Sequence, residues 1–187
     1  MALTFVTSNQ HKFQEVSELA VKRGIEVVHY KWRYVEIQAD DLEEIARASA
    51  KEVSAQLKCP CFVEDAGLFV MALKGFPGPY SNYVFRTLGN SGILKLMSGV
   101  NNRDAEFRSA VGYCEPGGEP MVFVGRVEGE IAEQVRGQGG FGFDPIFIPR
   151  EGDGRTFAEM PVSEKNLFSH RARAVDRFLN WFIELKR

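Results

Sequence analysis

Residues 3–30 read LTFVTSNQHKFQEVSELAVKRGIEVVHY, and this stretch decides the fold. Residues 3–6 form a short apolar run that ends in three small polar residues, Thr7-Ser8-Asn9. From about Gln10 onward, Phe13, Val16, Leu19 and Ala20 recur at helical spacing, and Gly24 stops the pattern. Residues 25–30 then read as a second strand. Strand, helix and strand in immediate succession make a βαβ unit, the seed of an α/β domain.

The rest of the chain extends that reading. Asp41 and Glu44 are spaced as a capping box, and a helix with Ile45, Ala48, Val53 and Leu57 on its apolar positions follows. Cys61-Phe62-Val63 is strand-like and leads into Glu64-Asp65-Ala66-Gly67; residues 68–73 are a second apolar run. Residues 75–79, GFPGP, form a rigid turn. Two short helices are expected around residues 80–88 and 91–97. Residues 105–113 alternate, with Ala105, Phe107, Ser109, Val111 and Tyr113 on one face, and residues 121–131 alternate too. The Pro- and Gly-rich residues 116–120 between them predict an antiparallel hairpin. A last helix starts near Ser169 and aligns Ala172, Val175, Phe178, Leu179 and Phe182. The order predicts one α/β domain over residues 1–187 with a mixed sheet, and no linker, repeat or low-complexity segment interrupts it.

Bulk properties exclude several classes. The 187 residues suffice for one sizeable core, and 44% hydrophobic with 26% charged residues is ordinary for a globular protein. A net charge of −2 gives no nucleic-acid or membrane footprint, so an anionic ligand needs a local basic pocket. No apolar run is long enough to span a bilayer and no signal-peptide pattern is present, so a cytoplasmic protein is expected. Cys59, Cys61 and Cys114 are an odd number at no disulfide or zinc spacing and read as reduced thiols.

Four constellations can carry chemistry. Thr7-Ser8-Asn9-Gln10-His11-Lys12 joins a strand end to a helix start, where backbone N–H groups, the helix dipole and a lysine favour an anion; the plain alternative is a helix cap with a solvated lysine. Glu64-Asp65, with Glu36 upstream, places carboxylates where a strand ends. Such groups are costly unless a cation is near, and magnesium takes one or two carboxylates beside water and phosphate oxygens. Residues 163–171, SEKNLFSHR, open a helix with basic side chains that oppose its dipole, which is easier to explain with an acceptor-rich partner. In residues 137–147, GQGGFGFDPIF, glycines permit close backbone approach, Phe141 and Phe143 offer flat faces, and Asp144 is fixed in an extended conformation before Pro145. A phosphate cradle, a metal site, a base slot and a donor cluster together favour a nucleoside triphosphate.

These residues identify a resemblance. TSNQHK at 7–12, Glu36 in VEIQ, VEDAGL at 63–68, GFPGPYS at 75–81, GGFGFDPIF at 139–147, TFAEM at 156–160 and SEKNLFSHRARA at 163–174 resemble, in order and over nearly the whole chain, the inosine/xanthosine triphosphate pyrophosphatase family. GFPGPY resembles the archaeal and eukaryotic branches more than the bacterial one. The resemblance implies an elongated, curved mixed sheet flanked by helices, in two lobes with a central substrate cleft, and a homodimer. It implies Mg2+-dependent hydrolysis of non-standard purine nucleoside triphosphates (ITP, dITP, XTP) to the monophosphate and pyrophosphate, which cleanses the nucleotide pool. Carried over by position, Thr7, Ser8, Asn9, Gln10, His11 and Lys12 hold phosphates, and Glu36 and Asp65 hold the metal. Asp65 with Lys12 serves catalysis, with Glu64 as the alternative base. Phe141, Gly142, Phe143 and Asp144 meet the base, Lys165 contacts substrate, and His170 and Arg171 read the base edge. Ala66 stands where some members carry a small hydroxyl residue, so its contact is through backbone.

Hydrolysis of a phosphoanhydride needs positioning, charge neutralisation and a directed water, which this set supplies. Hypoxanthine and xanthine present O6 as acceptor and N1–H as donor, the reverse of adenine, so donors aimed at O6 reject ATP. Guanine shares the O6 edge, so rejection of GTP needs something else; steric or desolvation pressure on its 2-amino group, with the 2-oxo of xanthine tolerated, is the expected device. A pyrophosphatase of modified pyrimidine nucleotides and a catalytically idle nucleotide sensor are the rival readings.

Overall fold

The computed structural model describes residues 2–185. The βαβ unit forms as the sequence predicts. Strand β1 (Ala2–Val6) pairs in parallel with β2 (Glu26–Tyr30), from Ala2 opposite Glu26 to Val6 opposite Tyr30, and helix α1 (Gln10–Val21) joins them. Asn9 caps α1, and Val16, Leu19 and Ala20 turn inward, together with one charged residue, Glu15.

Helix α2 (Leu42–Leu57) starts behind Asp41, whose side chain accepts from the Glu43 N–H. Strand β3 (Cys61–Val70) follows and pairs in parallel with β1. It corrects one expectation: Glu64 and Asp65 lie inside a single ten-residue strand, not at the end of a shorter one. The strand continues because β4 (Pro77–Gly78) pairs antiparallel with its second half at Leu68 and Phe69. Gly67 makes that approach possible, since a Cβ there would collide with the Gly78 carbonyl. Helices α3 (Ser81–Thr87) and α4 (Gly89–Leu96) occupy the predicted region.

Strands β5 (Asp104–Cys114) and β6 (Met121–Ile131) are neighbours in the sheet, and the short connection between them allows only an antiparallel hairpin. Strand β7 (Phe147–Pro149), helix α5 (Val162–Lys165) and helix α6 (His170–Leu185) complete the chain. The sheet runs β2-β1-β3-β5-β6-β7, with β4 attached to β3, so it is mixed and open.

The chain clusters into two compact units; three of the boundaries fall inside β3, β5 and β6, and the fourth at the start of α6. One comprises the described residues of Met1–Asp65, Ser109–Gly125 and His170–Arg187, and the other Ala66–Arg108 and Arg126–Ser169. The first packs Phe5, Val16, Leu19, Phe62, Val111, Val175 and Phe178 into a core, with Val6, Val53, Val63 and Cys114 in a second cluster. The other packs Leu68, Val84, Ile93, Phe107, Phe143, Phe147 and Phe157. Burying such apolar surface is the main favourable contribution to each.

Candidate active site

The loop after β1 is organised by its own side chains. Thr7 Oγ1 accepts from the Asn9 N–H at 3.1 Å, and Asn9 Oδ1 accepts from the N–H groups of His11 at 2.9 Å and Lys12 at 3.2 Å. Two of the helix amides expected to face a phosphate are therefore bonded to the Asn9 cap, which satisfies donors left over at a helix start. Ser8, Gln10 and His11 are exposed, Asn9 and Lys12 half-buried, and Thr7 buried.

Lys12 points at Glu64. Its ammonium donates to the Glu64 carbonyl at 2.8 Å and stands 3.0 Å from the carboxylate. The Glu64 side chain is fully enclosed; it accepts from Ser109 Oγ at 2.5 Å and lies 3.1 Å from Arg171 Nε. Arg171, equally buried, also pairs with Glu15 from α1. Burial alone would push the Glu64 carboxyl up, but Arg171, Lys12 and Ser109 outweigh it and hold it at about 2. Glu64 is thus a fixed anion at neutral pH and a poor proton acceptor. The basic first turn of α6 is explained the same way: Arg171 opposes the helix dipole but meets two carboxylates from β3 and α1.

Asp65 is half-buried, and Glu36 is exposed in the irregular segment after β2. Both act on one neighbour. Burial raises the Tyr34 phenol well above its ordinary value, and the charges of Glu36, Asp65 and Glu64 raise it further. The charges of all three carboxylates are thus felt at the same half-buried phenol. Among the described residues no group of three or more His, Cys, Asp or Glu is arranged to hold a metal ion. Glu36 and Asp65 offer carboxylate oxygens, the donor type that magnesium takes beside phosphate and water.

The second unit holds the other predicted cluster. Asp144 does not lie in an extended segment; it opens a 3-10 turn, Asp144–Ile146, and its Oδ2 accepts from the Phe141 N–H at 3.0 Å and from Lys165 Nζ at 2.7 Å. Gly140 has φ of +65°, and a Cβ there would collide with the Asp144 carboxylate. The glycines thus wrap the loop around an internal carboxylate. Asn90 donates to the Gly142 carbonyl at 3.2 Å and ties the loop to α4. Phe143, expected to offer a stacking face, is a core residue set edge-on to Phe85. Phe141 is half-buried, with the Lys165 ammonium 5.1 Å from its ring centroid. Ala66 is half-buried at the middle of β3, and His170 is buried at the start of α6.

The model of the Ham1 family matches residues 3–181. The chain belongs to the Ham1 family. Among its relatives, the dITP/XTP pyrophosphatase of Methanopyrus kandleri is 53% identical over 97% of this chain and 96% of its own length. That of Thermococcus kodakarensis is 54% identical over 98% of both. The solved Ham1 protein from Coxiella burnetii superposes with a TM-score of 0.83 at 29% identity, covering 97% of this chain and 99% of that one. A Mycobacterium abscessus structure described as a nucleoside-triphosphatase or dITP/XTP pyrophosphatase gives 0.73 at 34% identity, covering 96% and 99%. The open mixed sheet described above is therefore the Ham1 fold.

Two members of the buried network escaped the sequence reading, Glu15 and Ser109. Each left a signal. Glu15 is a carboxylate next to Val16 on the inward face of α1, one helical turn after Lys12. Ser109 is a hydroxyl at the centre of the alternating apolar face of β5. A polar group on a buried face needs a partner, and these two find theirs in Arg171 and Glu64.

Proposed function

We propose that this chain hydrolyses non-standard purine nucleoside triphosphates (ITP, dITP and XTP) to the monophosphate and pyrophosphate. The observation that carries the reading is its 53% identity over 97% of its length to a relative named dITP/XTP pyrophosphatase. The site chemistry supports it. The loop of Thr7, Ser8, Asn9, Gln10, His11 and Lys12 takes the phosphates, with Lys12 neutralising charge on their oxygens. Asp65 directs the attacking water and takes its proton on the carboxylate oxygen left free of metal, because Glu64 is bound by three donors and its proton affinity is low. Water adds to phosphorus, the bridging P–O bond between the α- and β-phosphates breaks, and pyrophosphate leaves with the bonding pair.

Glu36 and Asp65 would hold Mg2+, which when bound neutralises phosphate charge and lowers the cost of expelling pyrophosphate. Phe141, Gly142, Phe143 and Asp144 form the base-side loop, with Phe141 supplying the ring and Phe143 anchoring it from the core. Lys165 contacts substrate from its pairing with Asp144, which holds the loop in shape. His170 and Arg171 read the base edge. Arg171 carries five donors in a rigid fork. Glu64 and Glu15 fix the plane of that fork. Donors presented to O6 select hypoxanthine and xanthine over adenine, and pressure on the 2-amino group excludes guanine. The assembly is a homodimer, for which exposed Phe76, Tyr80 and Tyr83 supply apolar surface; sedimentation of the purified chain reads it.

The deciding experiment is pyrophosphate release from ITP, XTP, dITP, GTP and ATP, with magnesium and with chelator, beside Asp65→Asn. Fast release from the first three, slow release from GTP and ATP, and loss with chelator or in the variant are expected. Binding of ITP without release from any substrate would make the protein a sensor instead.

A further inference from the structure

Three donors hold Glu64, and they divide its carboxylate between them. Ser109 Oγ and Arg171 Nε approach Oε1 at 2.5 and 3.1 Å, and Lys12 Nζ approaches Oε2 at 3.0 Å. The Ser109 contact is the shortest of the three. Ser109 is fully buried at the centre of β5, so the strand gives its hydroxyl a fixed place. A glutamate's terminal torsion is broad, and the backbone of β3 does not determine which way Oε2 points. Arg171 cannot determine it alone, because its guanidinium is shared with Glu15. Lys12, whose side chain is 17% exposed, is the one member of the set with access to solvent.

We infer that Ser109 is a positioning residue for phosphate binding: it locks Oε1 of Glu64, so that Oε2 becomes the second anchor of the Lys12 ammonium beside the Glu64 carbonyl at 2.8 Å, and two anchors aim it where one would not. The inference rests on the phosphate role proposed for Lys12. Without the hydroxyl, Glu64 turns about its last torsion, Lys12 loses a fixed counter-charge, and part of its ordering cost falls on the binding step.

The test is a double-mutant cycle read by titration calorimetry, with an ITP analogue whose α,β-bridging oxygen is replaced by methylene. Ser109→Ala is expected to weaken binding about three- to tenfold, the value of one hydrogen bond to a charged group acting at one remove. Ser109→Thr, which keeps the hydroxyl, stays within about twofold, and Ser109→Cys, a weak donor of the same shape, falls between. In a Lys12→Met background Ser109→Ala has no further effect, because the two act as one unit. Equal losses in both backgrounds, no loss in Ser109→Ala, or an equal loss in Ser109→Thr overturns the inference. Weakening by Lys12→Met with none by Ser109→Ala sinks the positioning role alone. Undiminished binding by Lys12→Met removes the phosphate role of Lys12 and the inference with it.

Discussion

Lys165 Nζ lies 2.7 Å from Asp144 Oδ2, with side chains only 2% and 4% exposed. The two residues belong to α5 and to the turn before β7, so their pairing ties the glycine-rich loop to α5, while the Phe141 N–H bond to the same carboxylate closes the loop on itself. Removing either charge takes from the other its buried counter-charge at 2.7 Å. Asp144→Asn and Lys165→Met are each expected to cost about 3–5 kcal/mol. The double variant should recover part of that loss. Urea denaturation of the three variants checks it, and additive losses would contradict the pairing.

Gly140→Ala tests why the loop is rich in glycine. The added methyl meets the Asp144 carboxylate at a backbone φ of +65°. A loss of about 1–3 kcal/mol is expected from strain and displacement. Turnover of ITP should fall further than stability alone explains, because Asp144 would shift. Gly142→Ala shares the positive φ but meets nothing within 4 Å, so it should retain more activity.

Glu64 makes stability depend on acid. Its carboxyl sits at about 2 in the folded chain against 4.5 for the ordinary group. A depressed carboxyl contributes stability that is complete above the unfolded value and lost as pH falls through the folded one. The loss should run from about pH 4.5 down to about pH 2 and amount to roughly 3 kcal/mol. Glu64→Gln should flatten the stability profile in that window, as read by denaturation at a series of pH values.

Adjacent carboxylates on one strand should separate cleanly. Asp65→Asn is expected to lower turnover of ITP by about 10²- to 10⁴-fold, the range for loss of a general base, with little change in unfolding midpoint. Glu64→Gln is expected to destabilise, since Arg171 and Lys12 lose their shared anion. A stable, inactive Glu64→Gln beside an active Asp65→Asn would reverse the two roles.

Arg171→Lys tests the fork. Lysine keeps the charge but cannot present Nε and Nη1 to two carboxylates at once. A stability loss close to that of Arg171→Met, measured by thermal unfolding, is the expected result.

Local order in the chain was sufficient to fix several things. The spacing of Phe13, Val16, Leu19 and Ala20 between two apolar runs specified the βαβ unit, and Asp41 marked the start of α2. The hairpin was legible in two alternating runs around a Pro- and Gly-rich turn. These follow from interactions between residues a few positions apart, which a linear reading contains. Tertiary structure decided the rest. The pairing of β4 with β3 made Glu64-Asp65 the middle of a strand rather than its end. Contacts across 156 positions between Glu15 and Arg171, and across 45 between Ser109 and Glu64, turned scattered polar residues into one charge network. Burial gave Phe143 to the core and left Phe141 half-buried beside the same glycine. Residue type states which charges must be matched; only the folded chain, by bringing distant segments into a low-dielectric interior, decides which groups match them.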